Sequence, residues 1–257
     1  MLGENDNSLA MIVEGSTVYW SIFSEPNDPI GAMYRTAVFG GGPVGIGDSC
    51  NSLSFGIDDT ALFYSRTVNS PRGVSRMNLD GSGVVVLSSH SADFIATDDA
   101  TVYFSEDPCF GAGEGDGCAG EPAIYAVPKA GGDTQSLADA PEGLRALLQQ
   151  DGYLYWYSRS DLQDRPVPIQ RVPTTGGEPS TIVTRPFMQA LAVDATNVYW
   201  LDITGDNYER YEVAKAPVAG GDATVLFSEL GDPSSAFAID DTAIVWSAGG
   251  KLYLLAK

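Results

Sequence analysis

Six acidic or amide side chains, Glu14, Asp58, Asp98, Gln150, Asp194 and Asp240, each stand four residues ahead of an apolar, mostly aromatic triplet. Carboxylates in such places can accept backbone N–H bonds inside a tight turn, or they can ligate a metal ion. Turn capping is the favoured role, because six separate turns do not bring their acids to one ion. A second set, Glu106, Asp107, Glu114 and Asp116, crowds one glycine-rich loop. Backbone carbonyls there could help complete the oxygen shell of a calcium ion, the one cofactor the sequence suggests. The stretch lacks the D-x-D-x-D-G spacing of an EF-hand, so solvated acids on a loop tip are the competing reading. Asp202, Asp206 and Asn207 form a sparser candidate of the same kind. A third set mixes chemistries: His90, the chain's single histidine, with Asp93, Arg145, Gln189 and Ser235. Such a set can hold a small polar ligand. Alternatively, Asp93 and Arg145 simply neutralise each other. Tyr208 and Tyr211 offer rigid amphipathic contact area beside one long loop.

Catalytic patterns are sparse. With one histidine, a Ser-His-Asp arrangement could be built only around His90, and no G-x-S-x-G elbow occurs. The glycine-rich stretches at 45–49 and 79–83 do not join a strand to a helix, so a phosphate cradle is not supported. No catalytic residue is assigned.

The elements that must position these residues repeat. The triplets are Val18-Tyr19-Trp20, Leu62-Phe63-Tyr64, Val102-Tyr103-Phe104, Leu154-Tyr155-Trp156, Val198-Tyr199-Trp200 and Ile244-Val245-Trp246, at spacings of 40 to 52 residues. After most of them come a variable loop, an apolar run and a glycine turn such as Gly131-Gly132 or Gly220-Gly221. The runs are short and rich in β-branched and aromatic residues, which suits buried strands. A period near 40 residues with four strands per unit is the pattern of a propeller blade. The expected fold is therefore all-β, a six-bladed β-propeller of four-stranded antiparallel blades in a single domain. The blades fall at about 8–50, 51–90, 91–140, 141–186, 187–231 and 232–257. The last repeat stops at its third strand, so it is either three-stranded or closed by residues 1–7.

The stretch from Leu191 to Glu229, with Tyr199-Trp200-Leu201-Asp202 at its centre, resembles a repeat of the six-bladed YWTD propellers, in the variant common in secreted bacterial proteins. Met77-Asn78-Leu79-Asp80-Gly81-Ser82 is similar to the turn of the same repeat. The likeness covers roughly residues 8–257. It implies the fold and a secreted, periplasmic or extracellular bacterial location. It says little of function, because such propellers serve as receptors, scaffolds and enzymes.

The net charge of −20 argues against nucleic acid, whose phosphates need Lys and Arg. No apolar run is long enough to insert in a membrane. The opening MLGENDNS is polar, unlike the apolar core of a secretory signal. Of three cysteines, Cys109 and Cys118 bracket a loop that a disulfide would stabilise by about 2–3 kcal/mol, which implies an oxidising compartment. Cys50 is left over, and no usual zinc pattern forms.

Strand order places the loops between second and third strands on one face of the disc. These loops are long and unlike each other, whereas the turns of the opposite face are short and alike. Counting nine residues back from the triplets puts Asp93, Arg145, Gln189 and Ser235 at the channel mouth of the elaborated face, with His90 nearby. Variable loops on a rigid scaffold are where binding concentrates. The expected function is a non-catalytic secreted module that binds a protein or glycan through that face. An assembly subunit that self-associates through loop tips or the open last-blade edge is the alternative, and a calcium-dependent lactonase- or esterase-like hydrolase is a further one.

Overall fold

Each triplet lies in the second strand of a sheet, between two antiparallel neighbours. The computed structural model describes residues 8–22, 32–48, 54–66, 73–108, 120–141, 143–158, 166–185, 187–204, 209–231 and 233–257. The chain divides into two units, Met1–Ala140 and Pro141–Lys257.

In the first unit, blade one holds β1 (Ser8–Glu14), β2 (Thr17–Ile22), β3 (Ala32–Ala37) and β4 (Val44–Asp48). Blade two holds β5 (Gly56–Ile57), β6 (Ala61–Arg66), β7 (Gly73–Asn78) and β8 (Val85–Ser88). Blade three holds β9 (Phe94–Thr97), β10 (Thr101–Glu106), β11 (Ala123–Pro128) and β12 (Gln135–Asp139). In the second unit, blade four holds β13 (Leu144–Gln150), β14 (Tyr153–Ser158), β15 (Val167–Pro173) and β16 (Ser180–Arg185). Blade five holds β17 (Met188–Val193), β18 (Asn197–Thr204), β19 (Arg210–Pro217) and β20 (Thr224–Leu230). Blade six holds β21 (Pro233–Ile239), β22 (Ala243–Ala248) and β23 (Lys251–Ala256). Strands pair in chain order within every sheet, and the last sheet has three strands. The fold is thus all-β, a six-bladed β-propeller. Residues 1–7, the candidate closing segment, lie outside the described residues.

Side chains alternate between the two faces of each sheet, so one strand can serve two interfaces. Phe63 packs with Ile95, Val102 and Phe104 of blade three. Its neighbours Leu62 and Tyr64 pack with Tyr19, Met33 and Ile46 of blade one. Blade five behaves alike: Val198 and Trp200 join Tyr155, Tyr157 and Ile169 of blade four, while Tyr199 and Leu201 join Ile244 and Trp246 of blade six. That two-sided burial explains why the triplets read as continuous apolar runs.

The turns are cut from one template. Between third and fourth strands a glycine N–H closes each turn, from Gly40 to Ala37, Gly81 to Asn78, Gly131 to Pro128, Gly176 to Pro173 and Gly220 to Pro217. One position further into the pairing, every third strand shifts register against its fourth, at Met33/Tyr34, Val74/Ser75, Ile124/Tyr125, Ile169/Gln170 and Val213/Ala214. Nothing in the residue types at those places announces this repeated irregularity.

Candidate functional site

Four of the six repeated acids and amides cap the turn between first and second strands. Asp58 Oδ1 accepts the N–H groups of Thr60 and Ala61, each at 2.9 Å. Asp98 does the same for Ala100 and Thr101, Asp194 for Thr196 and Asn197, and Asp240 for Thr242 and Ala243. The turns after Glu14 and Gln150 are built on positive φ instead, at Gly15 (57°), Asp151 (48°) and Gly152 (76°). A two-residue turn of that hand matches strand twist without a side-chain cap.

The second carboxylate oxygen of these caps does further work. Tyr103 donates to Asp98 Oδ2 at 2.7 Å and Tyr199 to Asp194 Oδ2 at 3.0 Å. Lys129, just past β11, reaches Asp58 Oδ2 at 2.6 Å, and Lys257, just past β23, reaches Asp194 Oδ2 at 2.8 Å. A lysine at one place in the template therefore clamps the acid of the preceding blade. Burial pushes the Asp58 carboxyl up, but the bonds from Lys129, Thr60 and Ala61 outweigh it and hold the group at about 2, against an ordinary 3.8. Burial likewise raises Asp194, and Lys257, Thr196 and Asn197 more than reverse it. Between those values the folded chain binds fewer protons at Asp58 than the unfolded one. The stabilisation is present above 3.8 and is lost as pH falls to about 2. Lys129→Met should cost on the order of 1 kcal/mol in urea unfolding at neutral pH, with the loss gone near pH 2. A loss that persists unchanged in acid would assign the lysine's contribution to its packing over the Phe63 ring, 4.8 Å away.

Around Gln150, Asp194, Asp240, Asp241 and Lys257, in the second unit, lies a cavity of about 450 Å³. It opens among the short turns between first and second strands. Two of its acids are already committed to capping, and Lys257 neutralises one of them.

On the side where second strands end, the acids brace loop roots. His90 Nδ1 lies 2.7 Å from Glu106 Oε2, and Ser91 N–H donates to Glu106 Oε1 at 2.9 Å. The His90 ring packs on Tyr125 at 4.4 Å. Asp93 Oδ2 accepts the Asp107 N–H at 2.8 Å. The structure therefore brings His90, Asp93, Glu106 and Asp107 together, with these contacts tying the crossing before β9 to the end of β10. In blade five the corresponding acid is Asp202, the last residue of Tyr199-Trp200-Leu201-Asp202. Its Oδ2 receives Arg185 Nε at 2.7 Å and Trp200 Nε1 at 3.2 Å, and Arg185 also lies 3.5 Å from Glu212. Asp202 is fully buried, and burial pushes its carboxyl up against the opposing pull of Arg185. In sequence Asp202 is a candidate calcium ligand; in the structure Arg185, 17 residues away, holds its Oδ2.

The remaining sequence candidates fall in different places. Arg145 lies in β13, with an N–H donated to the Leu144 carbonyl at 3.5 Å. Gln189 lies in β17, where its carbonyl accepts the Tyr157 hydroxyl at 2.9 Å. Ser235 lies in β21. Tyr211 is a correction: it sits in β19 at 1% exposure, packed with Phe227 and Tyr253, and is core rather than a loop contact. Apolar alternation along β19 outweighs its nearness to a loop. Tyr208, Glu114, Asp116 and the Cys109–Cys118 pair lie outside the described residues. Among the described residues, no three His, Cys, Asp or Glu side chains gather as a metal site. No helix among them is long and apolar enough to cross a membrane.

No protein-family model matches the chain, and no curated protein is similar enough in sequence to count as a relative. Solved structures are similar in fold. A nidogen/laminin complex matches at 16% identity and a TM-score of 0.58, over 96% of this chain and 88% of that one. A putative TolB from Agrobacterium tumefaciens matches at 16% identity and 0.61, over 88% and 82%. An oligogalacturonate lyase in complex with manganese matches at 12% identity and 0.63, over 90% and 67%. At such identities the likeness establishes the fold alone.

Proposed function

We propose that the protein is a non-catalytic, secreted binding module that recognises a protein or glycan through the loops leaving the second strands of its blades. The observation that carries this reading is the bracing of the loop roots. Glu106 with His90, and Asp202 with Arg185, fasten the ends of β10 and β18 to the preceding crossing. A long loop on a fixed base can present contact residues at low entropic cost. Similarity to a nidogen/laminin complex supports protein recognition as one use of such a fold; similarity to a lyase keeps turnover worth testing.

The test replaces residues 110–117 and, separately, 205–208 with glycine-serine runs of equal length. Binding is compared on an immobilised glycan panel and against proteins crosslinked from a bacterial envelope extract. The expected result is a melting temperature close to that of the parent and at least about tenfold weaker binding in one variant, which is a loss of about 1.4 kcal/mol. Unchanged binding in both variants would remove the reading. Ester hydrolysis abolished by His90→Ala would replace it with an enzymatic one.

A further inference from the structure

We propose that the cavity among the first turns of blades four, five and six binds a small organic cation, with a guanidinium or ammonium head on a short apolar stem. It lies apart from the long loops treated above. The repeats supply an internal comparison. In four blades an aspartate caps the first turn through Oδ1, which leaves Oδ2 to find another partner. Lys129 takes Oδ2 of Asp58, and Tyr103 takes that of Asp98. Tyr199 and Lys257 share that of Asp194. Oδ2 of Asp240 accepts no hydrogen bond from the described residues. Register gives the reason. Tyr103 stands opposite Ala96 and Tyr199 opposite Ala192, whereas the residue opposite Ala238 is Val245. Blade six has the cap without the hydroxyl that closes it in blades three and five.

The open oxygen belongs to the cavity of about 450 Å³ that Asp240 lines together with Gln150, Asp194, Asp241 and Lys257. Lys257 is held by Asp194 at 2.8 Å, so that pair is matched. Asp241 makes no hydrogen bond or ion pair with the described residues, and the Gln150 side chain makes none either. Hydrogen bonds from Thr242 and Ala243 hold the Asp240 carboxyl below its usual range, so it is charged at neutral pH. What remains unmatched is therefore one oxygen of Asp240, the Asp241 carboxylate and an amide.

These groups select the ligand. An anion would be repelled by Asp240 and Asp241, and a neutral polyol would leave their charge unopposed. A calcium ion wants six to eight oxygens, and no three acidic, His or Cys side chains gather among the described residues. A guanidinium or ammonium brings positive charge and several N–H donors at once. Val193 and Ile239, half-buried at the ends of β17 and β21, offer the stem an apolar surface. The volume falls in the range of small-molecule sites.

The probe is n-butylguanidinium, compared with n-butylurea, which has nearly the same shape and no charge. Calorimetry follows both with the full chain and with two variants. Asp241→Asn removes an unmatched charge from an exposed turn position. Val245→Tyr supplies the hydroxyl that closes Asp98 and Asp194. The expected result is at least about tenfold tighter binding of the guanidinium than of the urea, with that advantage lost in both variants and the melting temperature close to that of the parent. No binding, equal affinity for the two probes, or an advantage kept in Asp241→Asn would overturn the proposal, whether or not Val245→Tyr folds. Displacement of the probe by millimolar calcium but not by magnesium would assign the cavity to a metal ion and overturn it. A blocked Gly-Arg-Gly peptide that binds at least about tenfold more tightly than n-butylguanidinium would assign the cavity to a partner's side chain and overturn the small-molecule assignment.

Discussion

Asp202→Ala should lower the folding free energy by about 3 kcal/mol, the low end of the cost of removing one partner from a buried ion pair. The substitution takes the 2.7 Å acceptor from Arg185, whose side chain is 19% exposed, and the acceptor from the fully buried Trp200. Glu212, 3.5 Å from Arg185, limits the loss. Asp202→Asn keeps a carbonyl oxygen for both donors and should cost about 1 kcal/mol. Its pH dependence carries the sharper signature. Burial raises the Asp202 carboxyl above 3.8, so the folded chain holds a proton there that the unfolded chain releases. That contribution is full below 3.8 and is lost as pH rises through the folded value, opposite in sign to Asp58. The stability difference between the parent and Asp202→Asn should therefore be larger below 3.8 and narrow as pH rises through that transition. Equal losses for Ala and Asn would mean that the charge, rather than the hydrogen bonds, holds the brace. Glu106 holds its brace to a histidine that is 39% exposed. Its removal should cost only about 1 kcal/mol.

Gly81→Ala should be at least as damaging, and a matched control isolates the reason. Gly81 and Gly131 occupy the same place in the turn with φ of 91° and 89°. A Cβ on Gly131 meets nothing within 4 Å, whereas one on Gly81 falls 2.1 Å from the Ile46 carbonyl oxygen. Backbone strain alone should cost Gly131→Ala about 1–2 kcal/mol. Gly81→Ala carries the same strain plus the forced separation of two blades, for a total of about 3 kcal/mol or more. Denaturant unfolding of the two variants side by side measures the difference. If they lose the same amount, blade two's turn can move off β4 freely and the two blades are not locked there.

The two kinds of glycine effect also mark the boundary of what could be read from the chain. Glycine in the turns between third and fourth strands was legible, because positive φ is a local demand. The close approach at Gly81 was not, because Ile46 is its neighbour only after two blades pack. The aspartates divide in the same way. Asp58, Asp98, Asp194 and Asp240 cap N–H groups two and three residues on, and residue type and spacing suffice to foresee that. That Lys129 clamps Asp58 across 71 residues, or that Arg185 occupies Asp202, needed the packed sheets. Tyr211 shows the opposite error, a loop neighbour in sequence that β19 turns inward.

The sequence alone determined the number of blades, the strand order and the capped turns. All of these follow from a repeated period, from apolar runs buried on both faces and from hydrogen bonds a few residues long. Only the tertiary structure decided which acids are braces, which glycines are contacts and which apolar side chains remain bare. Each of those depends on residues distant in sequence, and charge or apolarity at one position does not specify what will stand opposite it.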